Sequence, residues 1–486
     1  MRCAAALAVI SYALALQPLT SPGAPSRRTI ANAGTLDDVP DARLDRRAAL
    51  VGGGLVAISA ACSGEPKPYD YGLWGVLPVG PYKAKHSAPL ETVVPGSIWT
   101  IDQKFGILNV QVPVRMSIVK LQGGGLWILN PVAATRECLD MVRALEKEHG
   151  PVKHMVLGTV AIEHKTYAGV FAQKFPSATV WLQPGQYDFP VDLPPELTGF
   201  PVGRTKVLPT SAEETPWARD FEQATLGPFI SRDGAFGETA FFHKSTKSLL
   251  VTDAVQQVSR EIPKIFLLDE TAKRPLLYHA RDGILDTIDS KDMAQLEKGW
   301  RRIQLFGLYF MPAAIDIHTV SQSFAERRPD LNPDFAGILP WDWVRDDTQA
   351  FKALAGNSKD SLLVAPIIQT LILNRNPVET LDWVEKVCKW DFKRIVPAHL
   401  KNNIPAGPAA FKRAFSFLTV EGEPAGQPKP RRDDLKTLLD AEVNLVQRGA
   451  IAPAPGLVSR TNRAEVLART QYGCRGAYCS QRSNNN

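Results

Sequence analysis

Four side chains in this sequence have the types and placement to hold a divalent cation: Glu163, His164, Asp253 and His399. Glu163 and His164 stand side by side in GTVAIEHKTYAG, directly after the apolar run HMVLG. Asp253 follows SLLVT, and His399 follows KRIVPA. Each lies just past a short β-rich run, and open α/β sheets place their chemistry in loops at the carboxyl ends of strands. Two carboxylates and two imidazoles make an oxygen and nitrogen donor set suited to one zinc or iron ion. On a regular strand Glu163 and His164 would point to opposite faces. A loop at the strand end is expected to turn both toward one ion.

The same residues admit a metal-free reading. Lys165 follows the pair, and its ammonium beside Glu163 and Asp253 would replace a cation and hold both carboxylates ionised. Glu163, Lys165 and Asp253 would then carry any catalysis. The plainest reading has Glu163 capping a helix, His164 hydrogen-bonded in the core, and Asp253 accepting backbone amides. A buried carboxylate without any such partner would cost several kcal/mol.

The elements that must position these residues follow from the pattern around them. The run from Ile98 to Asn130 reads as short strands, with a turn at Gly123 to Gly125. Apolar residues at 138, 141, 142 and 145 set a helical period over Arg136 to His149. A strand ending at Gly158, a helix and a strand at Thr179 to Leu182 form one βαβ unit. Phe221 to Val255 reads as a strand pair turning at Lys244 to Lys247. A helix is expected around Met293 to Leu305, another over Thr380 to Trp390, and a third over Arg432 to Gln447. Glu65 to Pro95 is expected to be an irregular arm, and the proline-rich Phe189 to Pro209 a surface excursion. Residues 256 to 350, with the Trp-rich LPWDWVRDD, read as an insertion over the mouth of the site. Tyr187, Trp341 and Trp343 are candidate pocket walls, and His279 and His318 lie in the insertion. His86, His149, His154 and His243 read as structural.

The order strand, Glu-His loop, helix, then strand–Asp and strand–His resembles the metallo-β-lactamase fold. More narrowly, TVAIEHKTYAGVFAQKFPSATVWLQPGQYDFP, FFHKSTKSLLVTDAV and FKRIVPAHL resemble a plant, algal and cyanobacterial family known as domain of unknown function 4336. The resemblance spans roughly Tyr69 to Val420. It implies an α/β, four-layer αββα sandwich carrying an insertion and an irregular N-terminal arm. The wider fold carries HxHxDH and two metals. Here Thr159, Ala161, Glu163 and His164 occupy those places, so the first two histidines are missing. No histidine falls near Arg232 to Gly234, where a further ligand of the first metal is expected. The resemblance thus implies a single ion on Glu163, His164, Asp253 and His399.

Composition and the remaining motifs narrow the function. The formal charge of +6 over 486 residues is small and dispersed, which argues against a nucleic-acid surface. Gly52 to Gly54 lie in the apolar core of the targeting region, and Gly123 to Gly125 join two strands without the following helix of a phosphate loop. No GxSxG elbow and no papain-type cysteine signature occurs. Cys474 and Cys479 are spaced to close a small loop.

The first 64 residues read as an address. Ala4 to Leu16 forms a short apolar core after Arg2, SPGAPSRRTIANAG has the bias of a plastid transit peptide, and Arg46-Arg47 precede a second apolar run. The expected organisation is a targeting region at 1–64, the sandwich at 65–420, and a helix with a low-complexity tail at 421–486. The expected destination is the plastid, with the thylakoid as the expected address within it, and no membrane span is expected in the mature chain. Two functions are consistent with this reading. One is a mononuclear zinc or iron hydrolase of a small ester or thioester. The other is a metal-free binding or assembly factor that docks a thylakoid protein.

Overall fold

The computed structural model describes residues 87–107, 109–186, 194–231, 234–332 and 334–470. The targeting region, His86, Tyr187, Cys474 and Cys479 lie outside them. Among the described residues, thirteen strands run in chain order: β1 Glu91–Val94, β2 Ile98–Ile107, β3 Val110–Lys120, β4 Leu126–Leu129, β5 Val152–Leu157, β6 Thr179–Leu182, β7 Thr205–Val207, β8 Phe221–Ser231, β9 Gly234–His243, β10 Ser248–Val251, β11 Ile315–Ile317, β12 Trp341–Trp343 and β13 Arg394–Pro397. The helices are α1 Arg136–His149, α2 Ile162–Gln173, α3 Glu270–Ala280, α4 Met293–Tyr309, α5 Val320–Ala325, α6 Thr348–Ala355, α7 Pro366–Leu371, α8 Pro377–Val387, α9 Pro408–Ala414, α10 Lys436–Gln447 and α11 Arg463–Arg469.

Strands β1 to β7 form one sheet in sequence order, and β13-β10-β9-β8 form a second. The first sheet is antiparallel through β4 and parallel from β4 to β7. In the second, only the β10–β13 pair is parallel. The period of two along a strand sends neighbouring residues to opposite faces, and the cores follow this rule. Ile118, Ile128, Met155 and Val180 pack outward against Val142 of α1 and Phe171 of α2. Their neighbours Val119, Trp127, Val156 and Trp181 face inward, meeting Phe241, Leu250 and Val396 of the second sheet. Phe242, Leu249 and Ile395 then face the other way, onto Ile303, Trp383 and Phe411 of α4, α8 and α9. Helix, sheet, sheet, helix is the four-layer αββα sandwich, so the expected fold class is what the chain builds. Trp127 anchors its centre, in ring contact with Trp217, Phe221 and Phe241.

Several local expectations need correction. Part of the N-terminal arm is β1, which extends the first sheet as its edge strand. The proline-rich excursion returns as β7, a parallel strand on the opposite edge. Phe221 to Val255 makes three strands rather than two, since β8 and β9 pair over nearly their full length before the turn at 244–247. Residues 256–350 supply α3, α4 and the β11–β12 pair. Their buried side chains, Trp300, Phe306, Trp341 and Trp343 among them, belong to the core outside the second sheet. Among its described residues, the segment beyond 421 holds two helices, and both pack on the sandwich: Leu438 of α10 against Leu371, and Val466 of α11 against Val378.

Candidate metal centre

Glu163 and His164 occupy the first turn of α2, which begins right after the extended Ala161, and not the loop expected from sequence. Successive side chains on a helix are turned by about 100°, so neighbours at its start can face one point, as strand neighbours cannot. The helix N-terminus also favours the Glu163 charge. Asp253 lies two residues past β10 and His399 two past β13, strands that run parallel and in register. That register delivers both side chains to the same end of the second sheet.

All four expected ligands converge. One donor atom from each of Glu163, His164, Asp253 and His399 lies within 4.8 Å of the other three. Nε2 of His399 is 3.1 Å from Nε2 of His164 and 3.1 Å from Oδ1 of Asp253. Nδ1 of His399 donates to the Pro113 carbonyl at 2.9 Å. A carbonyl only accepts, so Nδ1 carries a hydrogen and Nε2 of the neutral ring offers its lone pair to the cluster. Donors sharing one ion at ~2.0–2.2 Å would stand roughly 3–3.5 Å apart, close to these spacings. The donor set therefore fits one divalent ion, with two carboxylates to balance its charge and two imidazoles aimed at one point. Both histidines are buried, whereas Glu163 and Asp253 are half-buried and form the side open to solvent.

The electrostatics reflect this crowding. Burial pushes the Glu163 carboxyl above its usual range, and the Asp253 charge adds to the effect. Burial acts upward on Asp253 too, but the hydrogen bond and charge of His399 outweigh it and leave that carboxyl low. For His399 burial acts downward, and Asp253 and Glu163 more than offset it, holding the ring above its ordinary value. His164 is pushed down to about 3 by burial and by His399. It stays neutral and so remains a ligand in waiting at ordinary pH.

Three buried residues that sequence reasoning did not single out hold these ligands in place. Arg115 on β3 donates to the Pro397 and Leu400 carbonyls at 2.7 and 3.0 Å, one on each side of His399. It also pairs with Asp102 through two contacts of 2.8 Å. Asn130, past β4, donates to Thr252 Oγ1 at 2.9 Å and accepts from the Gly158 amide at 3.1 Å, tying the two sheets together behind the site. Glu238 on β9 accepts the Thr252 and Asp253 amides at 2.6 and 2.8 Å. Burial, and then the Asp253 charge, pushes its carboxyl up to about 8. The available signal was an Arg, an Asn and a Glu each set in or beside an apolar strand, where an unpaired polar group is costly.

Lys165 is buried in α2. The charges acting most on Glu163 are those of Asp253 and His399, and on Asp253 those of His399 and His164. His279 stacks on Trp341, and His318 contacts Asp342. Trp341 is packed against Phe306. Trp343 lies under the Arg302 guanidinium and lines a shallow depression of about 390 Å³ with Lys298 and Arg345, built from residues outside the ligand cluster. His149 stacks on Trp99, His154 accepts from the Trp181 indole at 3.4 Å, and His243 contacts Thr246 at 2.8 Å, all structural roles as expected.

Among solved structures, the chain is similar to the metallo-β-lactamase DIM-1, at 14% identity and a TM-score of 0.27, over 35% of this chain and 72% of that one. A variant flavo di-iron protein from Thermotoga maritima matches at 10% identity and TM-score 0.31, over 69% and 64% of the two chains. The metal-soaked Flv1 flavodiiron core from Synechocystis sp. PCC6803 matches at 13% and 0.26, over 40% and 50%. None of these likenesses is close enough to carry chemistry across. No curated protein sequence matches the chain. The profile of one family covers residues 95–417, from just after β1 through α9, and so takes in β2 to β10, β13 and all four ligands. On that match the chain belongs to the family described as domain of unknown function (DUF4336).

Proposed function

We propose that this protein is a mononuclear metal-dependent hydrolase of a small ester or thioester, acting in a plastid. The observation that carries the reading is the convergence of Glu163, His164, Asp253 and His399 within 4.8 Å. A zinc or iron ion held by these four would supply Lewis acidity toward a scissile carbonyl and make water acidic enough to attack near neutral pH. The protein's own part is orientation. Pro113 fixes the His399 tautomer, and burial keeps His164 unprotonated. The half-buried Glu163 and Asp253 form the edge that a small substrate would approach. The plastid assignment rests on the transit-like bias of residues 1–64.

One observation favours the second reading, a metal-free binding or assembly factor at the thylakoid. A protonated His399 and an ionised Asp253 at 3.1 Å satisfy each other without a cation. Elemental analysis of the protein purified without chelator, beside an Asp253→Ala, His399→Ala double variant, separates the two. About one equivalent of zinc or iron, lost in the variant and accompanied by metal-dependent cleavage of p-nitrophenyl acetate or an acyl thioester, is expected. No metal in the wild type, with a variant that is merely less stable, would sink the hydrolase and leave the docking protein.

A further inference from the structure

We infer that Glu238 is a positioning residue of the site, which joins its two halves through its backbone on one side and its carboxyl group on the other. The inference rests on the metal-centre reading and starts from strand register. β10 pairs antiparallel with β9 as Ser248 with His243, Leu249 with Phe242 and Leu250 with Phe241. Continued in that register, Asp253 would lie opposite Glu238 and be tied into the ladder. It does not continue. The Glu238 carboxylate reaches across and takes the amides of Thr252 and Asp253 at 2.6 and 2.8 Å, with the Ala254 amide also directed at it. The side chain thus replaces the ladder bonds that the backbone would have made, and β10 peels away from β9 just before Asp253.

The edge of β9 that β10 vacates is filled from the other sheet. Thr159 forms a bridge with Glu238 itself, Val160 N–H donates to the Gly237 carbonyl at 3.1 Å, and Thr239 N–H donates to Gly158 at 2.8 Å. Gly158 to Val160 is the stretch between β5 and α2, and it leads within four residues to Glu163 and His164. The backbone of Glu238 therefore holds the segment that presents one pair of ligands, while its side chain holds the loop that presents Asp253. A fully buried glutamate in the middle of a sheet is costly unless its oxygens are used. Here both oxygens are used, on backbone groups that set ligand positions.

The test is Glu238→Gln, which keeps size but turns one acceptor oxygen into an N–H₂ facing a backbone N–H. Cobalt(II) serves as the probe because its visible spectrum reports ligand geometry. The expected result is a 10–100-fold loss of cobalt affinity, the range typical of groups that orient metal ligands, with an altered cobalt spectrum and unchanged far-ultraviolet circular dichroism. His243→Asn, placed at the far end of β9, serves as the control for general weakening and is expected to leave the spectrum alone. An unaltered spectrum and affinity in Glu238→Gln would overturn the proposal, as would an equal loss in the control. If the wild type takes up no cobalt, the metal reading fails, and amide exchange at Thr252, Asp253 and Ala254 decides the role of Glu238. Exchange faster by about tenfold or more at those amides alone supports it, and unchanged exchange overturns it.

Discussion

Nε2 of His164 and Nε2 of His399 face each other at 3.1 Å, although 235 positions separate them in the chain. Two ring nitrogens this close are mutually repulsive unless a proton or a metal ion lies between them. With Nδ1 of His399 committed to Pro113, the pair is poised to share one cation. His164→Ala and His399→Ala are each expected to weaken metal binding by more than the 10–100-fold typical of an orienting group. Saturating zinc at 100 times its dissociation constant should stabilise the wild type by about 2.7 kcal/mol and neither variant. Thermal unfolding with and without zinc measures both.

Arg115 is expected to matter through His399 rather than through charge. Arg115→Lys keeps the charge but cannot reach Pro397, Leu400 and Asp102 together, as the planar guanidinium does. The expected cost is about 2 kcal/mol of stability, with metal affinity down 10–100-fold. Urea unfolding and chelator competition report the two effects separately, and unchanged metal affinity would show that the His399 loop holds its place without the clamp.

Asn130 carries two demands at once. Its side chain bridges Thr252 and Gly158, and its backbone sits at φ 51°, in the left-handed region. Asn130→Ala loses both bonds and meets the full backbone penalty, so a loss of about 3 kcal/mol is expected. Asn130→Gly escapes the backbone part and should be milder by about 1 kcal/mol. Denaturant midpoints at constant slope test the order, and equal losses would mean that the left-handed backbone is not strained.

Stability should fall as the solution is acidified through the histidine range. His243 is buried, and burial pushes its pKa down to about 4, against the upward pull of Asp220. The unfolded chain takes up a proton near 6.5 while the folded one resists until about 4. The favourable effect of a neutral His243 is therefore complete above 6.5 and is lost as pH drops toward 4. His243→Asn should flatten this part of the stability profile by roughly 2–3 kcal/mol. An unchanged slope between pH 6.5 and 4 would place the acid sensitivity elsewhere.

The ligand set was legible because metal chemistry restricts residue type and strand ends restrict place. Glu163, His164, Asp253 and His399 each follow an apolar run that becomes β5, β10 or β13. Their supports were not legible. Arg115, Asn130 and Glu238 act on backbone groups up to 285 positions away, and backbone groups leave no mark in sequence. The strand count between Phe221 and Val255 failed for a different reason. Arg232-Asp233-Gly234 carries an Asp-Gly turn signal between β8 and β9, and a reading that placed the one reversal at Lys244 to Lys247 passed over it.

By itself the sequence determined the order of strand and helix patterns around the site, the helix over Arg136 to His149, and the chemical identity of the four donors. These are local properties, set by side-chain type and period. Only the tertiary structure decided that Glu163 and His164 start a helix rather than end a loop. It alone decided that β10 and β13 run in parallel register, and that Glu238 peels one strand from its neighbour so that ligands from both sheets meet. Those outcomes depend on which backbone groups find partners across the fold, and no single stretch of chain contains that information.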